Sequence, residues 1–195
     1  MKLTPEQKAQ RHRQRLIDNC RTVRLGTYTR KVVAPLFQLM IRAEAGASRS
    51  PSSPAMFEGE LEQVSRNIGY CVCVTCGKVT SWKGGVDRYS GMHTGHFLAS
   101  RRNSILFEEV NVAPSCSHCN YQLGGNPQAF RKWMLAVRGE DVIQRLERLK
   151  NTVVEFTREQ LVDMRISYAA RLKAAEERMK SKRSHTNTIH VSRCT

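Results

Sequence analysis

The sequence predicts an α+β protein in which a loop-rich, zinc-stapled centre is held between mainly helical arms. Two C-x-x-C pairs, Cys73/Cys76 and Cys116/Cys119, predict the staple. Short apolar pieces such as YCVCV and ILFEEV alternate with Gly and Ser loops and mark the centre as loop-rich. Helix start and stop signals on both sides predict the arms.

Taken in order, residues 1–46 read as a basic helical N-terminal arm. Thr4, Pro5 and Glu6 form an N-cap and first turn, and TRKVVAPLFQLMIRAEAG carries an apolar helical face through Val33, Phe37, Met40 and Ile41, ending near Gly46. ASRSPSSPA has the composition of an exposed linker, which we place at 47–58. EGELEQVSRNIGY suggests a short helix leading into a core over 59–150. Within that core, GGNPQAFRKWMLAVRG has Asn126 as N-cap, Pro127 at the first helical position and Gly139 after the last turn, and EDVIQRLERL makes a further helix. Thr157 with Gln160 three residues on is a capping-box pattern opening a long helix over 151–183, and 184–195 reads as a disordered tail.

Charge narrows the function. Across 195 residues, 32 Lys and Arg stand against 17 Asp and Glu, a formal charge of +15, which points to a polyanionic partner, nucleic acid first. The first fifty residues hold 11 basic and 3 acidic side chains, whereas residues 51–100 hold four of each. A nearly neutral centre between basic arms suits a site mounted on a nucleic-acid grip, although a basic surface also serves solubility. The most apolar run, VVAPLFQLMI, is short and broken by Pro35 and Gln38, so no membrane span is expected. With no apolar leader visible, the reading is cytoplasmic, where clustered cysteines bind metal more often than they form disulfides.

A C-x-x-C turn aims two thiolates at one ion, and two such turns complete a tetrahedral site with no open position, so a zinc ion here would be structural. The 39 residues between the pairs must fold out beside the staple, bringing MHTGHF with them. Cys71 offers an alternative to Cys73 at a longer spacing, Cys20 and Cys194 read as free thiols, and His118 reads as a surface residue of the second turn. A redox C-x-x-C would need a βαβ context that is missing.

The order CVTCGK, TGHF, NVAPSCSHCN, GGNPQAFRKWML resembles the HNH endonuclease motif in its H-N-N form, the ββα-metal fold. Within that superfamily it looks most like the phage NinG/Rap recombination endonucleases, over roughly residues 65–150 with a weaker echo around SYAARLK. The resemblance implies a DNA endonuclease acting on branched recombination intermediates such as Holliday junctions and D-loops, with a catalytic Mg²⁺ or Mn²⁺, in a phage or prophage setting where host or phage recombination proteins are expected partners. It implies that His96 is the general base, that Asn111 holds the loop carrying His96, and that Asn120 offers its amide oxygen to the divalent ion. A neutral imidazole with an ordinary pKa near ~6.5 suits proton abstraction at pH 7.

One position departs from the pattern. Many such enzymes carry an acid immediately before the catalytic histidine as a metal ligand, and here Gly95 stands there. His93, Asp87, Glu108 and Glu109 are the nearest residues able to replace it; His93 is the choice because it shares the turn with His96, and an imidazole ligand shifts preference towards Mn²⁺, Ni²⁺ or Zn²⁺. Arg101 and Arg102 are placed to grip the phosphates of the cut strand, with Arg131 and Lys132 as further DNA-backbone contacts; a solvated charged loop is the alternative. Trp133, at helical spacing from Phe130 and Val137, reads as core. Two readings compete with a junction nuclease: a non-catalytic zinc module that binds nucleic acid, and an HNH nuclease of restriction or homing type. Paired nicks across a junction would suit a homodimer through the long final helix, although packing that helix on its own core explains its apolar face equally.

Overall fold

The computed structural model describes residues 3–48, 68–84, 89–99 and 102–191, with side chains as far as Ser181. Most of the Ser/Pro linker, the helix expected just after it, Asp87, Arg101 and Cys194 lie outside the described residues.

The N-terminal arm is helical. Helix α1 (Pro5–Arg21) opens with a reciprocal capping box: Thr4 Oγ1 accepts from the Gln7 N–H at 3.2 Å, and Gln7 Oε1 accepts from the Thr4 N–H at 3.0 Å. The short α2 (Leu25–Tyr28) leads through a π-helical turn (Thr29–Val33) into α3 (Ala34–Ala47). Pro35 explains that turn. It has no N–H to offer the preceding carbonyls, and the backbone widens so that the Ala34 N–H reaches Thr29 O five residues back.

The centre holds two small antiparallel sheets. Strands β1 (Tyr70–Val72) and β2 (Val79–Ser81) flank the first cysteine turn, with Tyr70 opposite Ser81. Strands β3 (Met92–His96) and β4 (Val112–Cys116) pair from Met92–Cys116 to His96–Val112, so one hairpin carries both histidines on one strand and the second cysteine turn at the end of the other. The apolar piece ILFEEV forms no strand. It falls into a helical turn, α4 (Asn103–Leu106), and a 3₁₀ turn (Glu109–Asn111), because Ile105 is buried and Asn111 fastens its carbonyl from below.

Helices α5 (Pro127–Val137) and α6 (Glu140–Lys150) bury Phe130, Trp133, Met134, Ile143 and Leu146 in one cluster with Val74 and Ala113, so Trp133 is core, 1% exposed. Asn126 precedes α5 but does not cap it with its side chain. Its backbone is left-handed (φ 48°) and its amide instead reaches Cys119 Sγ at 3.9 Å. Helix α7 (Arg158–Val191) begins with the Thr157–Gln160 capping box and continues past residue 183, where the sequence reading ended it; no Gly or Pro interrupts 158–191.

Helix α7 unites the arms and the centre. Its stripe of Leu161, Val162, Tyr168, Ala175 and Met179 is buried in the chain's own core against residues of α1 and α3, each large side chain contributing roughly 1.5–3 kcal/mol by burial. This apolar stripe of α7 is thus packed within the chain. Arg13 pairs with Asp163 at 2.6 Å, and Arg171 bridges Glu44 of α3 and Glu109. No described helix is long and apolar enough to cross a membrane.

Candidate functional site

The four cysteines converge. The Sγ atoms of Cys73, Cys76, Cys116 and Cys119 all lie within 4.8 Å of one another, and those of Cys76 and Cys116 are 3.6 Å apart. Zn–S bonds of about 2.3 Å in a tetrahedron require S···S edges of about 3.8 Å, so the cluster is able to hold one structural metal ion such as zinc. Each turn is closed locally. The Gly77 N–H reaches Cys73 O at 2.9 Å with Gly77 at φ 77°, and the Cys119 N–H points at Cys116 Sγ at 3.5 Å. Around them, Thr75 Oγ1 lies 3.1 Å from Cys73 Sγ.

Burial and mutual proximity push the Cys76 and Cys116 thiols above their ordinary range. Burial also opposes ionisation of Cys73, but hydrogen bonds from Thr75 and from the backbone around Cys116, Thr75 and Cys76 outweigh it and hold this thiol at about 7. Four thiolates cannot share such a space without a cation to balance them. Cys71 is not part of the cluster: its thiol bonds to Arg42 O at 3.2 Å, and burial raises its pKa to about 12. Cys20 is buried under α7, where Arg158 donates to its carbonyl. His118 is exposed and bonded to Gln122, away from any ligand role.

Beside the cluster, β3 and the second cysteine turn form one wall of an open cleft of about 490 Å³, lined by His93, His96 and Asn120 together with Gln38, Arg42 and Leu106. The histidine and the second asparagine of the motif therefore meet in one cleft. Asn111 does not line it; it lies beneath, fully buried, and works entirely through backbone. Its Oδ1 accepts from the Leu98 N–H at 2.9 Å, while Nδ2 donates to Leu98 O at 3.3 Å and to Ile105 O at 3.2 Å. Its own carbonyl accepts from the Phe97 N–H at 2.8 Å. One side chain thus ties the loop after His96 to α4.

That tie reaches the imidazole. His96 Nε2 faces Leu106 O at 3.3 Å, next along the chain from the carbonyl Asn111 holds, which assigns the proton to Nε2 and leaves Nδ1 as the acceptor. Burial pulls the His96 pKa below the ordinary histidine range, with the Leu106 carbonyl opposing, so the ring is neutral at pH 7. His93 Nε2 lies 3.3 Å from Ser90 O.

Gly95 is shaped by packing. A Cβ placed on it would stand 2.9 Å from Ser115 Cβ, 3.3 Å from the Phe130 ring and 3.4 Å from Asn120 Oδ1. The other acids considered do not replace the missing ligand. Glu108 pairs with Arg145 at 3.1 Å and Glu109 with Arg171, and among the described residues no carboxylate lines the cleft. The polar side chains that line the cleft beside His96 are His93, Thr94, Gln38, Arg42 and Asn120.

Of the cationic residues expected at DNA, Arg102 donates to Lys150 O at 3.2 Å, Lys132 is exposed, and Arg131 faces Glu140 at 3.3 Å and Glu147 at 3.9 Å. None of the three lines the cleft. Sequence reading missed Gln38 and Arg42, which reach the cleft from α3. Their only signal was a polar i, i+4 pair interrupting an apolar helix.

The family model described as bacteriophage lambda NinG protein matches residues 65–178, more than half of the chain. No curated protein and no solved structure matches. The match runs from just ahead of the first cysteine turn, through the cleft, to the inner half of α7, and the chain belongs to the bacteriophage lambda NinG protein family.

Proposed function

We propose that this chain is a divalent-ion-dependent DNA endonuclease of the HNH type that acts on branched recombination intermediates. The observation that carries the reading is the meeting of His96 and Asn120 in one cleft, with the His96 loop locked by buried Asn111. In this reading the β3–β4 hairpin and the turn after Cys116 are the ββα element, stapled by zinc at the four cysteines.

His96 Nδ1 takes a proton from water, the water oxygen forms a bond to phosphorus, the bond from phosphorus to the leaving oxygen breaks, and that oxygen takes a proton from solvent. Asn111 keeps the imidazole in its tautomer and place through the Ile105–Leu106 segment, a contribution through geometry. Asn120 and His93 are the residues that would hold the divalent ion, whose chemistry when bound is to neutralise charge on the phosphate and leaving oxygen. The formal charge of +15 supports a nucleic-acid substrate, whereas the preference for branched DNA rests on the family.

The absence of a carboxylate from the cleft among the described residues favours one second reading: a zinc module that binds DNA without cutting it. Incubating the native protein with a four-way junction and a matched linear duplex, each with Mg²⁺ or Mn²⁺, separates the two. The nuclease reading expects metal-dependent cutting, faster on the junction; binding with no cutting under either ion would establish the module instead.

A further inference from the structure

The N-terminal arm contributes a cation to the cleft. Arg42, on the third turn of α3, lies outside the matched residues 65–178, yet it lines the same cleft as His96 and Asn120. It is half-buried, and among the described residues it has no carboxylate partner. The guanidinium's one hydrogen bond among the described residues runs from Nε to Trp82 O at 3.0 Å, which fixes its plane.

An arginine in this state is uncommon. Guanidinium groups withdrawn from water are ordinarily paired, because desolvation disfavours the charge; here burial lowers the Arg42 pKa from its ordinary value with only the Cys71 thiol opposing. With Nε engaged, the Nη donors are left for an anion, and their fork matches two oxygens of a phosphate. Arg171 provides the contrast on the same helical layer, with both its neighbours Glu44 and Glu109 paired to it.

The position of Arg42 is built by the fold. Thr94 Oγ1 donates to Gln38 O at 2.8 Å, the Cys71 thiol bonds to Arg42 O at 3.2 Å, and the Gly69 N–H bonds to Gly46 O at 2.9 Å. Three bonds therefore dock α3 onto β3 and β1 along the stretch that carries Arg42.

Resting on the nuclease reading, we infer that Arg42 is a catalytic residue which binds the non-bridging oxygens of the scissile phosphate, so that the active site is completed by the N-terminal arm. It holds the phosphate in line with His96 and stabilises the charge that grows on those oxygens as the P–O bond breaks.

The test is single-turnover cleavage of a four-way junction by the native chain, Arg42→Ala and Arg42→Gln, with bound zinc and circular dichroism checking the fold. Gln keeps a donor for Trp82 O and removes the charge. The expected result is a fall in rate of about 100-fold or more in folded Arg42→Gln, and partial recovery of Arg42→Ala by millimolar guanidinium, which a merely structural residue would not show. Folded Arg42→Gln cutting at the native rate overturns this inference and leaves the nuclease reading standing. No cutting by the native chain under Mg²⁺ or Mn²⁺ overturns both.

Discussion

Asn111 grips Leu98 by both of its backbone groups, accepting from the N–H at 2.9 Å and donating to the carbonyl at 3.3 Å, two residues beyond His96. Replacing it strands the buried Ile105 O and the partly buried Leu98 groups, at roughly 1–3 kcal/mol for a fully buried group left unpaired and less for the others. Asn111→Ala is expected to lower the melting temperature by about 5–10 °C in a chain of this size. Asn111→Asp should do no better, because a carboxylate cannot donate to the two carbonyls. Thermal unfolding checks this, and a variant as stable as the native chain would refute the buried tie.

The cysteine cluster predicts one tightly held zinc ion per chain. Cys116→Ser removes a ligand from the centre that joins β4 to the first cysteine turn, and should lose the metal together with cooperative unfolding. Metal analysis after gel filtration reads the outcome. Full zinc retention with an intact fold would rule out a site made by these four thiols.

At Gly95 the hairpin leaves no room. Gly95→Asp, which restores the acid common in HNH enzymes, would drive its Cβ to within 2.9 Å of Ser115 Cβ and should cost about 1–3 kcal/mol of stability through overpacking. Pairing it with Ser115→Gly should recover much of that loss. Denaturant unfolding of the single and double variants decides it, with an unperturbed Gly95→Asp midpoint as the contrary result.

Arg171 gives the structure a mild acid sensitivity. Its hydrogen bond holds the Glu109 carboxyl below the ordinary glutamate range, against burial. A depressed carboxylate contributes stability that is fully present above the unfolded pKa and is lost as pH falls through the folded one. Glu109 is 47% exposed, so the pair is worth no more than about 1 kcal/mol. Glu109→Gln should therefore be slightly less stable than the native chain at pH 7, with the difference closing below about pH 4. A constant difference from pH 7 to pH 3 would contradict this.

Local chemistry carried much of the architecture into the sequence. The capping boxes at Thr4 and Thr157 and the two C-x-x-C turns are contacts between residues three apart, and each forms as its spacing implies. His96 and Asn120 could be brought together on the page because the cysteine turns fix where the intervening chain must return. Arg42 could not. Its place depends on α3 docking across β1 and β3, through bonds such as Thr94 to Gln38 that join residues 56 apart, and no periodicity in the helix announces them. The helical turn within ILFEEV was likewise not legible, because it is held by the bond from Asn111 to the Ile105 carbonyl. Asn126 was legible as a helix start but not as a donor towards Cys119.

The most direct test is the single-turnover rate of phosphodiester cleavage on a four-way junction by native protein and by His96→Ala, with binding measured in parallel. A neutral, half-buried imidazole acting as general base predicts that His96→Ala binds the junction with native affinity and cuts it about 10²–10⁴-fold more slowly. Equal cutting by the two proteins, or cutting that persists without a divalent ion, would contradict the assignment of this cleft as the active site.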